Sequence, residues 1–139
     1  MTNLNERRKY FKQFLPQLEY SNSDIKGLGN TCPSCGYPTL DERSSWEICA
    51  FCFWEDDGQD DHDADVVLGG PNGDYSLTEY REKWENAYSD IMQSDSATAE
   101  DFKRIDTLIE LQSESNIPEI LELVNKLISW FNRKRGIIS

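Results

Sequence analysis

Two pairs of cysteines carry the chemistry this sequence can be expected to do. Cys32 and Cys35 form one C-x-x-C, Cys49 and Cys52 the other, and thirteen residues separate the pairs. In a reducing compartment, thiolates at this spacing read as one metal site. Each C-x-x-C folds over one edge of the ion, and the segment between returns the chain so that the second pair closes a tetrahedron. Zinc suits such a set, because four sulfurs complete its shell and leave no open position for catalysis. An iron site of the rubredoxin type is the alternative: CPSCG suits it, whereas CAFCF lacks the matching glycine. For the same reason the two turns should differ. Gly36 permits a positive φ that aims backbone N–H groups at sulfur, and the second pair has no such glycine. Tyr37, Trp46, Phe51, Phe53 and Trp54 are expected to cover the site, with Ser34 and His62, the only histidine, outside the metal shell.

Directly after the second pair comes EDDGQDDHDAD, residues 55–65, with seven carboxylates in eleven positions. Asp61, Asp63 and Asp65 match the first three alternating ligands of an EF-hand loop. Val66 stands where that loop needs glycine and Asn72 where it needs a bidentate glutamate, so calcium is not expected. Arg43 is the only base between residues 30 and 66, and nothing nearby in the sequence offsets the run. Glu55, Asp56, Asp57, Asp60, Asp61, Asp63 and Asp65 are therefore candidate contacts for a basic protein partner, with the metal module as their rigid mount.

The elements that must position these groups follow from periodicity and breakers. Leu4, Phe11, Phe14 and Leu15 share a face of a helix over 3–15 that Pro16 ends, and Arg7, Arg8, Lys9 and Lys12 read as its solvated side. Residues 17–31 read as a connection. Short strands over Tyr37–Asp41 and Ser45–Ile48, joined through Glu42–Arg43, make a hairpin around the cysteines. Gly69–Gly73 is a turn cluster, and Ser76 with Glu79 forms a capping box that starts a helix over 76–92. Phe102, Ile105, Leu108 and Ile109 mark a helix near 99–112. Asn116 caps a last helix with Ile120, Leu121, Val124, Leu127, Ile128 and Phe131 inward; Arg135 and Gly136 close it. The expected fold is α+β: a single domain over 1–139, a zinc-ribbon module at 31–60 with its short β-hairpin, about four α-helices, and a helical hairpin over 99–135.

The middle of the chain resembles the cysteine-rich CPCC family of small bacterial zinc-ribbon-like proteins. CPSCGYPTL (32–40), ICAFCFWEDDGQ (48–59) and GGPNGDYSLTEYREKW (69–84) carry the likeness, over roughly residues 31–88. Ser34 stands where the family motif has a further cysteine. The resemblance implies a ribbon followed by a helix, with the two C-x-x-C pairs intact.

The formal charge is −12, and residues 30–66 hold ten acids against one base. Nucleic-acid binding needs lysine and arginine to displace counterions, so a nucleic-acid-associated or transcription- or translation-linked ribbon is the second reading rather than the first. There is no phosphate loop, no nucleophile elbow and no H-E-x-x-H, and the cysteines belong to a closed site, so an enzyme is not expected. No apolar run of signal-peptide length opens the sequence and no stretch approaches a membrane span, which gives a cytoplasmic expectation. The first reading is thus a non-enzymatic zinc protein that binds a basic protein, as an immunity or inhibitor protein neutralises a toxin such as a nuclease.

Overall fold

The computed structural model describes residues 1–15 and 29–134, so Pro16, all but the last three residues of the connection over 17–31, and the Arg135–Gly136 exit lie outside the described residues. Among the described residues four α-helices form: α1 (Leu4–Phe14), α2 (Leu77–Met92), α3 (Ala97–Glu110) and α4 (Ile117–Lys134). Three of them start on side-chain caps. Asn3 and Glu6 exchange side-chain-to-backbone bonds at α1, Ser76 and Glu79 do the same at α2, and the Ser96 hydroxyl accepts from the Ala99 N–H at α3. Such caps satisfy N–H groups that the first helical turn leaves free. Asn116 does not cap α4. It lies in a 3-10 turn, Glu114–Asn116, that Ser113 caps and that runs straight into the helix.

The chain around the cysteines departs from expectation. Among the described residues the protein is all-helical, with 57% in helix and 3% in strand, and this overturns the α+β class with its β-hairpin. Only isolated bridges remain among the described residues: Asn30 with Leu40 and Ile48 with Glu55. The two segments read as strands therefore do not pair with each other; each closes back on its own cysteine turn. The reason is where the backbone N–H groups find acceptors. Glu47 accepts from the N–H of Asp41 and Glu42 at 3.0 and 2.8 Å, and Asp56 accepts from that of Ser44 at 2.7 Å. Carboxylates thus take donors that a ladder would use. Ser44 and Trp46 also adopt positive φ, 60° and 67°, which no β-strand accommodates.

The helices bury one continuous core. α3 and α4 lie side by side, tied at the surface by Arg104–Glu119 and Lys126–Asp101 pairs, while α1 and α2 pack on α3. Tyr37 and Phe51, one from each cysteine turn, plug into this body. Their rings meet Trp84 of α2 and Phe102 of α3 at centroid distances of 5.2–6.2 Å. The buried Asp106 carboxylate on α3 accepts from the Thr2 N–H and hydroxyl and from the Tyr88 hydroxyl, which anchors the N-terminus. Burial alone would raise that carboxyl; those donors hold it below its ordinary value. No helix of the described residues is long and apolar enough to cross a membrane.

Candidate metal centre

The four sulfurs all lie within 4.8 Å of one another and could hold a metal ion. Among the described residues they are the one cluster of this kind. The closest contacts cross between pairs: Cys32 to Cys52 and Cys35 to Cys49, each 3.6 Å. The donor chemistry and spacing fit a four-thiolate ion, since a tetrahedron with metal–sulfur bonds of about 2.3 Å has sulfur–sulfur edges of about 3.8 Å.

Each C-x-x-C is a tight knuckle, and the two repeat one hydrogen-bond pattern. In the first, the Cys32 N–H reaches the Tyr37 carbonyl, the Gly36 N–H reaches the Cys32 carbonyl, and the Ser34 N–H points at the Cys32 sulfur at 3.4 Å. In the second, the Cys49 N–H reaches Trp54, the Phe53 N–H reaches Cys49, and the Phe51 N–H points at the Cys49 sulfur at 3.4 Å. Gly36 and Phe53 occupy matching places with φ of 82° and 70°. The expectation that the turns would differ for want of a second glycine is thus corrected.

Cys32, Cys35 and Cys49 are fully buried and Cys52 partly so. Burial pushes the Cys32 and Cys35 thiols well above their ordinary range. It acts in the same direction on Cys49, where hydrogen bonds from Cys32, Cys35 and Cys52 more than offset it and hold that thiol well below. The Thr39 hydroxyl, 3.0 Å from the Cys49 sulfur, adds a donor suited to an anionic sulfur. A cation bound between the sulfurs would stabilise their anionic forms. Of the aromatics expected to cover the site, Tyr37, Phe51 and Trp54 are buried, whereas Trp46 and Phe53 are exposed.

Two arginines that the sequence reading did not connect to this site hold the first knuckle. Arg7 has no solvent exposure, which corrects its reading as part of a solvated face. Its Nε donates to the Cys35 carbonyl at 2.8 Å, its other nitrogens reach the Thr2 carbonyl and Glu85, and its guanidinium lies about 5 Å from the Tyr37 and Tyr88 ring centres. Arg81 of α2 donates to the Pro33 carbonyl at 2.9 Å. The spacing Leu4, Arg7, Phe11, Phe14 steps along one helical face, so Arg7 was visible as an inward position; its charge concealed it.

The acidic run is offset by arginines from three distant segments. Arg8 grips Asp60 with two bonds of 2.7 and 2.8 Å, and Arg43 reaches both Asp60 and the fully buried Asp56 at 2.9 Å. Arg81 pairs with Asp61 at 2.7 Å. Burial acts to raise the Asp60 carboxyl, but Arg8 and Arg43 together hold it far below the usual carboxylate range. Asp57 and Asp63 accept from the backbone N–H groups of Gln59 and Asp60 inside the loop, and Asp65 accepts from the Thr78 hydroxyl. Asn72 clamps the backbone of Glu55, and His62 stands exposed beside Asp63, away from the sulfurs. Of the seven candidate contacts, Asp61 and Asp65 are the exposed ones.

Fold and site together define a helical protein built around a double knuckle of four cysteines that could hold a metal ion. Residues 30–98, just under half of the chain, match the family model described as Cysteine-rich CPCC. No curated protein and no solved structure matches the chain.

Proposed function

We propose that the protein is a non-enzymatic zinc protein whose metal site organises a surface for a basic protein partner, in the manner of an immunity or inhibitor protein. The zinc part is supported by the sulfur geometry: contacts of 3.6 Å between knuckles are close to the edge of a zinc tetrathiolate. Cys32, Cys35, Cys49 and Cys52 would hold the ion, and a full shell of four thiolates makes its role structural.

The observation that carries the partner reading is where the apolar surface lies. Nine large apolar side chains are exposed among the described residues. Seven of them, Trp46, Ile48, Phe53, Val66, Val67, Leu68 and Tyr75, fall within residues 46–75, the stretch that also carries the acidic run. Exposed apolar groups among carboxylates form a surface for an amphipathic, basic partner. Asp61 and Asp65 are the acids best placed to meet it. Two measurements test the proposal. Metal analysis with an absorption spectrum of anaerobically purified protein should give one zinc per chain and no iron–thiolate colour. Capture with wild type and with an Asp65→Asn/Leu68→Ser variant, followed by association rates at two salt concentrations, should show slower association and a flatter salt slope for the variant. Equal rates and slopes would remove this face as the docking surface.

A further inference from the structure

The four ligand cysteines differ in access. Three are sealed, and Cys52 lines a groove of about 490 Å³ walled by Phe51, Phe53, Tyr80, Trp84, Ile91 and Phe131. The groove is largely aromatic. A partly exposed sulfur and a largely apolar groove leading to it suit a visitor that is itself apolar and reactive toward thiolate sulfur.

We propose that Cys52 is a modification site through which apolar organic hydroperoxides oxidise the cluster and release its ion; this rests on the zinc reading above. The Cys52 thiolate attacks the terminal peroxide oxygen. A sulfur–oxygen bond forms, the oxygen–oxygen bond breaks, and the leaving alkoxide takes up a proton to become the alcohol. The Cys32 sulfur, 3.6 Å away, then attacks the sulfenic sulfur of Cys52; a cross-knuckle disulfide forms and hydroxide leaves as water with a second proton. Two thiolates, one hydroperoxide and two protons give one disulfide, one alcohol and one water. Cys35 and Cys49 alone then no longer close a shell round the ion.

The test uses the full zinc-loaded chain with cumene hydroperoxide and hydrogen peroxide at equal concentration. Zinc release is read with a colorimetric chelator, and the first disulfide is mapped by peptide mass spectrometry. The expected result is release about tenfold faster with cumene hydroperoxide, which is what burying a couple of methylenes' worth of apolar surface contributes to a rate. Cys32–Cys52 should be the first disulfide. Ala87→Trp, an exposed α2 position lining the same groove, should abolish the preference while leaving zinc content and the hydrogen peroxide rate unchanged. A chain that takes up no zinc overturns the zinc reading and this inference with it. A chain that holds zinc but loses it equally fast to both peroxides, or through a first disulfide lacking Cys52, overturns this inference alone.

Discussion

The two knuckles trace the same backbone path with different residues at the decisive place. Gly36 and Phe53 both hold the left-handed conformation after their second cysteine, and both donate their N–H to the first cysteine's carbonyl. A non-glycine residue in that region costs roughly 1–2 kcal/mol. The second knuckle accepts this cost because Phe53 projects to the surface. The first could not. A Cβ on Gly36 would lie 3.0 Å from Leu4 Cδ1 and 3.2 Å from both Arg7 Cβ and the Leu4 carbonyl. The glycine is thus required by the close approach of α1, while the sulfur turn itself tolerates either residue. The first knuckle is also held from outside by Arg7 and Arg81, whereas the second carries the sulfur nearest to solvent.

The contrast can be broken most severely at the four-cysteine centre. Cys49→Ser removes a sulfur common to the hydrogen-bond pattern and to the shell. It should cost more than about 4 kcal/mol and drop metal content below one per chain, read by thermal melting with and without chelator and by metal analysis. Next comes the clamp. Arg7→Met leaves the buried carbonyls of Cys35 and Thr2 without donors and should cost about 2–4 kcal/mol. Arg81→Met, at a more exposed side chain, should cost about 1 kcal/mol or less; equal losses in denaturant melts would remove the distinction between inner and outer grip.

At the left-handed position, Gly36→Ala should destabilise by about 2–3 kcal/mol through conformation and contact together. Phe53→Gly should be within about 1 kcal/mol of wild type in local backbone terms. Similar losses at both places would mean that α1 does not select the glycine.

The link between α1 and the loop after the second knuckle is pH-dependent. Because Asp60 titrates below its unfolded value, its contribution is present above an unfolded carboxyl pKa of about 3.9 and is lost as pH falls through the folded value. Asp60→Asn should cost about 1.5–3 kcal/mol at neutral pH and less in acid, its stability curve drawing toward wild type as pH falls from about 3.9 toward the depressed folded value. The smallest effect belongs to Ser34. Its buried hydroxyl has no partner among the described residues, and Ser34→Ala should change stability by less than about 1 kcal/mol, toward gain.

What the sequence disclosed, and what it withheld, divides by range. Spacing was sufficient to bring four sulfurs together, and the Ser76–Glu79 pattern marked a helix start, because both are local rules. The hairpin failed for a local reason of another kind: Glu47 and Asp56 take N–H groups that alternation alone assigns to a ladder. The charges were misjudged because their partners lie far away in the chain. Arg8 and Arg81 stand 52 and 20 residues from the aspartates they grip, so a tally within residues 30–66 could not find them. Arg7 sits on an inward helical face where charged residues are rare, and residue type outweighed position in reading it.

The grip of Arg7 on Cys35 bears on what counts as a unit. The segment shared with the family begins at residue 30, so it contains every sulfur and Arg81 but leaves out Arg7 and the helix that fits against Gly36. Cut free, it would keep its ligands and expose the inner flank of one knuckle to water, where the Cys35 carbonyl and the Tyr37 ring lose the guanidinium that meets them both. A stretch that travels as one piece of sequence can in this way depend for its rigidity on a neighbour outside its own borders, and the firmness with which it holds an ion becomes a property of whichever chain receives it.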